Sequence, residues 1–240
     1  MGMIHNILTR GKTMSSNTIY QLKEDKLRSK IILFDLDGTL IDSTEAILES
    51  FATAYKAFKV DIPKEENIKS LIGLPLDKMF IKLGVAEDEA MKYVKAYKEH
   101  YRSIHTKKTV LLPHAKEAIE TAYTYARLAV VTTKTGQYSR ELLEHFDLMK
   151  YFDVLIGRED VKNPKPHPEP IYKALDALGY SFGTITYYIG DTPDDMLAAE
   201  EADIASIGVL CGYGNNNDLD EVADFIQKDA LKAVQLIEKI

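Results

Sequence analysis

Short runs of apolar and β-branched residues, parted by helical patterns, constrain this chain more than any other feature. Four of them, Ile31 to Phe34, Leu128 to Val131, Val154 to Ile156 and Ile185 to Ile189, are continuous rather than alternating, and each ends at a polar break. Continuous runs mark strands buried on both faces. A fifth run, Ile204 to Val209, and an edge segment, Asp224 to Gln227, extend the set. Helical patterns lie between them at His114 to Tyr125, Gln137 to Phe146, Pro168 to Leu178, Pro193 to Glu200 and Lys228 to Glu238. Strands alternating with helices predict right-handed βαβ crossovers and an α/β fold whose sheet is mostly parallel and covered on both faces.

One stretch breaks that rhythm. From about Ser43 to Val110 no strand pattern occurs, and amphipathic segments at Ala46 to Phe58, Leu76 to Leu83 and Glu87 to Tyr101 predict an inserted, all-helical cap. The expected organisation is therefore an N-terminal extension over 1–30, a core built from 31–43 and 111–240, and a cap over 44–110. The extension reads as a solvated tail with a helical patch near Ile19 to Leu27. Its Arg10-Gly11-Lys12-Thr13 has Asn6 where a phosphate-binding loop requires glycine, so that reading fails.

Composition narrows the function. With 37 acidic against 30 basic residues and a net charge of −7, the chain has no broad basic surface to offer a nucleic acid. No apolar run approaches the roughly 20 residues of a membrane-spanning helix, and the N-terminus lacks the pattern of a signal peptide. The single cysteine, Cys211, excludes an internal disulfide. A reducing, cytoplasmic setting is expected.

The chemistry is expected at the carboxyl ends of the strands, where ligands bind in an open parallel sheet. There the chain reads Asp35-Leu36-Asp37-Gly38-Thr39 after the first run, Thr132-Thr133-Lys134 after the second, and Gly190-Asp191-Thr192-Pro193-Asp194-Asp195 after the fourth. A loop after the third run brings Lys165 just ahead of a helix. Carboxylates gathered at one edge repel each other unless a cation holds them, and an all-oxygen set suits Mg²⁺. Two positions apart in extended chain, Asp35 and Asp37 would leave on the same face. One such carboxylate can ligate metal and attack phosphorus while the other protonates the leaving group. Gly38 permits a tight turn after the pair. Thr132 and Lys165 can hold phosphoryl oxygens on which charge develops. Taken singly, each has a plainer reading: Asp37-Gly38 as a turn, and Thr132, Asp191 or Thr192 as helix caps. In this order at successive strand ends, they point to phosphoryl chemistry.

With these four motifs the chain resembles the haloacid dehalogenase superfamily, over Ile31 to about Gly208. The resemblance implies a Rossmann-like core, Asp35 as nucleophile, Asp37 as general acid/base, and Thr132 and Lys165 as phosphoryl ligands. It also implies a Mg²⁺ site drawn from Asp35, Asp37, Asp191 and Asp195, with the GDxxxD spacing favouring Asp195 over Asp194. The helical insertion after the first motif is similar to the cap of the phosphoglycolate phosphatase and β-phosphoglucomutase subgroup, which places Gly38, Thr39, Thr133 and cap residue Gly73 at the substrate. Related dehalogenases lack the second aspartate, so Asp37 favours phosphorus chemistry. Related mutases carry a cap histidine where Ile47 stands, and Lys56 and Lys59 are expected on a solvated face rather than as a Schiff-base lysine. The expected activity is hydrolysis of a small phosphomonoester, of phosphoglycolate type, with a mutase, a pyrophosphatase or a phosphoacceptor signalling module as alternatives. For a carboxylated substrate the cap cations open to the role are Lys69, Lys78, Lys82 and Arg102.

Overall fold

The computed structural model describes residues 28–181 and 183–240. The helix expected near Ile19 to Leu27, and most of the extension, lie outside the described residues. Strands form at Lys30–Phe34 (β1), Ile41–Asp42 (β2), Val110–Leu111 (β3), Ala126–Val131 (β4), Val154–Ile156 (β5), Thr186–Gly190 (β6), Ala205–Val209 (β7) and Phe225–Gln227 (β8). Six of them make one sheet in the order β5-β4-β1-β6-β7-β8, with every pairing parallel. Helices run at Thr44–Ala57 (α1), Glu65–Lys69 (α2), Leu76–Lys82 (α3), Ala90–Ile104 (α4), Ala115–Tyr123 (α5), Gly136–His145 (α6), Glu169–Ala177 (α7), Pro193–Glu201 (α8), Asn216–Asp220 (α9) and Ala230–Lys239 (α10).

The continuous apolar runs behave as two-sided strands should. Side chains alternate along β1, so Ile32 and Phe34 enter one core with Leu128, Val130, Ile119, Leu142 and Val234. Ile31 and Leu33 enter the other with Ala129, Val131, Ile171, Met196 and Ala199. Helices therefore have to cover both faces of the sheet. A polar residue at Ile31 to Phe34 would face one of these cores, and the strand's one polar residue, Lys30, stands at its less buried start.

Between β2 and β3 the chain is helical. Its helices share a separate core built on Phe51, Tyr55, Phe80, Tyr93, Tyr97 and Tyr101. Phe80 is the hub: it is fully buried, its ring lies 4.5 Å from Phe51 centroid to centroid, and it also meets Tyr55, Tyr93 and Tyr97. Phe80→Ala is expected to cost about 3–5 kcal/mol of stability, measurable by denaturant unfolding.

The structure adds elements too short to show a period. The two-residue strands β2 and β3 pair antiparallel, Ile41 with Leu111 and Asp42 with Val110, and tie together the two chain segments that lead into and out of the helical block. Helices α2 and α9 are five residues each and were equally invisible to periodicity. Strand β4 starts at Ala126 rather than Leu128, because Lys30 and Ile31 of β1 extend the ladder to Ala126 and Arg127.

Candidate active site

β1 is the strand at which the order of the sheet reverses, with β4 on one side and β6 on the other. Such a switch point opens a crevice at the carboxyl edge. Asp35 enters it directly from β1, its N–H donating to Ile189 O at 2.9 Å. Asp191 follows β6, and Asp195 sits in the first turn of α8. One carboxylate oxygen from each of Asp35, Asp191 and Asp195 lies within 4.8 Å of the others, and all three residues are buried.

Each member is fixed by specific partners. Asp191 accepts Thr39 Oγ1 at 3.1 Å and the Tyr213 N–H at 2.8 Å. Asp195 Oδ2 accepts the Thr192 N–H at 3.0 Å and its hydroxyl at 2.7 Å, closing the N-terminus of α8. Lys165 binds Asp35 Oδ1 at 2.9 Å, the Tyr188 hydroxyl at 2.9 Å, and Asp195 Oδ1. The Tyr188 hydroxyl donates to Val131 O at 2.8 Å. Gly38 turns the chain at φ +82°, and a Cβ there would fall 2.2 Å from Asp191 Oδ2. Only glycine lets the loop pass this close to the cluster.

The charges do not balance within the cluster. Burial pushes the Asp35 carboxyl up to about 7, against the pull of Lys165. Burial likewise drives Asp191 well above the carboxylate range, with Asp195 and Asp35 adding to it. Burial would lower Lys165, but Asp195 and Asp35 outweigh it and hold the ammonium well above the ordinary lysine value. One ammonium among three buried carboxylates leaves a site whose oxygen donors fit a hard divalent cation.

The carboxylate of Asp37, also expected among the metal ligands, lies outside that group of three. The extended chain ends at Phe34: Leu40 and Ile41 fold back to donate to Leu36 O, and Asp37 bridges to Ile41. After this turn the Asp37 carboxylate accepts Lys134 Nζ at 2.7 Å and the Ser43 hydroxyl.

The remaining candidates reach the same edge. Thr132, just past β4, is buried, and its Oγ1 accepts the Lys134 N–H at 3.2 Å, which leaves its own proton to donate. Thr133 Oγ1 donates to Gly73 O at 2.7 Å, joining the 71–75 loop to the end of β4. Gly73, at φ +110°, lies so close to α8 that a Cβ would come 3.1 Å from Thr192 Cγ2. Two histidines are structural: His167 Nδ1 accepts the Glu169 N–H at 3.1 Å, and His114 stands at the start of α5.

Beside Asp37 a cavity of about 230 Å³ opens between the helical block and the β4 loop. Ile47, Ile72, Leu76, Met79 and Val94 form much of its wall. Its cations are Lys98, Lys134 and Arg158; Lys69, Lys78, Lys82 and Arg102 are not among its lining. Those four are exposed. The tyrosine-rich α4 packs the helical core, and Tyr97 and Tyr101 also line the cavity. Lys134, Ser43, Tyr101 and Tyr188 were not singled out from sequence. Only Lys134 carried a signal, its position two residues past Thr132 at a strand end.

The description of haloacid dehalogenase-like hydrolases fits residues 32–209. A phosphoglycolate phosphatase of Salmonella typhimurium is 30% identical over 214 residues, covering 79% of this chain and 84% of its own length. A pyrophosphatase of Halalkalibacterium halodurans is 34% identical over 183 residues, covering 76% and 83%. Among solved structures, a haloacid dehalogenase-like hydrolase from Streptococcus pneumoniae superposes with a TM-score of 0.78 at 27% identity, over 87% of this chain and 98% of that one.

Proposed function

The chain belongs to the haloacid dehalogenase-like hydrolases, and on that footing we propose that it hydrolyses a small phosphomonoester through a phosphoryl group carried on Asp35. The observation that supports this most is the split between two carboxylates. Asp35 lies in the buried cluster beside Lys165, whereas Asp37 faces the cavity beside Lys134. In this reading Asp35 is the nucleophile and Asp37 the proton donor.

In the first half-reaction an Asp35 oxygen bonds to phosphorus, the bond from phosphorus to the leaving oxygen breaks, and Asp37 gives that oxygen a proton. In the second, Asp37 takes a proton from water, the water oxygen attacks phosphorus, and Asp35 is released. The Thr132 hydroxyl and Lys165 ammonium are placed to hold phosphoryl oxygens as charge develops on them. Asp35, Asp191 and Asp195 would hold Mg²⁺, which when bound supplies the charge that lets buried carboxylates ionise together and shields the phosphoryl oxygens from Asp35. Residues 44–110 act as a cap over the core of 31–43 and 111–240. The Thr133–Gly73 hydrogen bond is one of the contacts by which it closes over the crevice and excludes water.

Phosphoglycolate is the first substrate to test, given the small cavity and the relative of that name. Pyrophosphate is the second reading, on the strength of the other relative. A mutase is disfavoured by Ile47, an apolar side chain lining the cavity where a second acid/base group would be needed. Phosphate release from a panel of small phosphomonoesters plus pyrophosphate, with Mg²⁺, tests the reading. Turnover of at least one compound is expected, and no release from any by folded protein would refute it.

The cluster also predicts a pH effect. Asp35 has its folded value raised to about 7 from an ordinary 3.8, so the folded state holds the proton more tightly. The resulting stability is complete below about pH 4 and is lost as pH rises through 7, a change on the order of 4 kcal/mol. Melting curves of metal-stripped protein should show this Asp35 contribution as a difference from Asp35→Asn. Added Mg²⁺ should raise the melting temperature more at pH 7.5 than at pH 5.

A further inference from the structure

The Asp191 arm of the carboxylate cluster is gripped by a loop that the proposed chemistry does not use. Tyr213 donates its backbone N–H to Asp191 Oδ2 at 2.8 Å. The glycines on either side of it press on the same residue. A Cβ at Gly212 would fall 2.1 Å from Asp191 Oδ2, and one at Gly214 would fall 1.8 Å from the Asp191 carbonyl oxygen. The loop is seated on Asp191, and its place depends on where that residue stands. The side chain of Tyr213 ends on a different part of the chain. Its hydroxyl donates to Asp42 Oδ1 at 3.2 Å, which leaves it accepting from Thr44 Oγ1 at 3.1 Å, and the residue packs against the core of the helical block. Asp42 closes β2 and pairs with Val110 of β3, and its Oδ1 also accepts the Thr44 N–H at 2.9 Å, at the start of α1. These are the segments by which the chain enters and leaves the helical block. One residue therefore holds Asp191 by its main chain and the entrance to that block by its side chain.

Resting on the readings of Asp35, Asp191 and Asp195 as the metal site and of residues 44–110 as a cap, we infer that Tyr213 is a positioning residue that couples the two. Metal on Asp191 and the seating of the cap on the core stabilise each other through it. The Asp191 carboxylate accepts the Tyr213 N–H and the Thr39 hydroxyl and still keeps lone pairs for a cation. A cation that fixes this carboxylate fixes the loop bonded to it. The loop in turn fixes the hydroxyl that Asp42 and Thr44 share. Coupling between two sites is reciprocal, so the contacts that hold Tyr213 to the cap raise the affinity for metal by the same factor. The crevice is then closed most firmly in enzyme that carries its metal.

Two measurements on the full chain without substrate test this: Mg²⁺ affinity by calorimetry, and hydrogen exchange with and without Mg²⁺. In the wild type Mg²⁺ is expected to slow exchange at the amides of Ile41 to Thr44 and Val110 to Leu112 by at least ~5-fold, the lower end of couplings between sites. Tyr213→Phe keeps the ring and the backbone N–H and removes only the hydroxyl. Mg²⁺ should still slow exchange in the 211–214 loop of that variant but no longer at the cap connections. Its Mg²⁺ dissociation constant should rise by about 3–10-fold, the worth of one hydrogen bond. Thr44→Val removes a partner of the same hydroxyl from the cap side and should act in the same direction. The double variant should lose less than the sum of the two, because they share a contact. A hydroxyl with a merely structural role would lower the melting temperature without moving the metal affinity or the effect of Mg²⁺ on the cap connections.

An unchanged Mg²⁺ dissociation constant in both single variants overturns the coupling while the metal site stands. Slowed exchange at the cap connections that survives Tyr213→Phe does the same, as does a wild type in which Mg²⁺ slows exchange only around Asp191 and the 211–214 loop. No Mg²⁺ binding by folded wild type removes the metal reading and the inference with it.

Discussion

Asp35→Asn is expected to lower kcat by on the order of 10⁴–10⁶-fold on whichever substrate the wild type turns over. The amide cannot form the phosphoryl bond, so the loss should appear in kcat and persist at saturating substrate. Folding should survive, because burial disfavours the charged carboxylate here and the neutral amide relieves that cost. Circular dichroism and melting curves separate the two effects: a native spectrum and a melting temperature at or above wild type at pH 7.5, with no turnover. A residual rate within about 10-fold of wild type would remove Asp35 from the nucleophile's role.

The second large effect falls on Lys165. It is the single ammonium bound to both Asp35 and Asp195, and its side chain is only 4% exposed. Lys165→Met keeps the length of the stem but leaves those carboxylates without their counter-charge. Removing one partner of a buried pair typically costs ~3–5 kcal/mol. The loss should be largest near neutral pH without metal and should shrink with Mg²⁺ or acid, each of which relieves the repulsion by a different route. Activity should fall by about 10²–10³-fold, the scale of one lost oxyanion donor. Equal stability of variant and wild type in metal-free buffer at pH 7.5 would mean that the cluster does not need its ammonium.

How far the sequence carried depends on what each residue's placement required. Asp35, Thr132, Lys165 and Asp191 were legible because each lies just past a continuous apolar run or its loop, and a parallel sheet brings all such ends to one edge. Asp195 came with the family resemblance, through the GDxxxD spacing, and stands where β6 passes into α8. The partners of the Asp37 carboxylate were not legible. One of them, Ser43, makes no periodic signal. The cavity cations were missed for a different reason. An amphipathic helix shows which face is apolar, but not whether that face meets another helix, the sheet or a ligand space. Tyr97 and Tyr101 pack the helical core and line the cavity at once, so periodicity alone could assign them to only one role.

The phosphoryl group on Asp35 is the claim on which the account turns, and it can be trapped. Mg²⁺-loaded enzyme is quenched with borohydride during steady turnover of its best substrate, then digested and sequenced by mass spectrometry. Borohydride reduces an aspartyl phosphate to homoserine and leaves free aspartate unchanged. The account predicts that conversion at position 35 in the wild type, scaling with turnover and absent from Asp35→Asn. Undiminished turnover with Asp35 intact, or reduction at a different carboxylate, would contradict it.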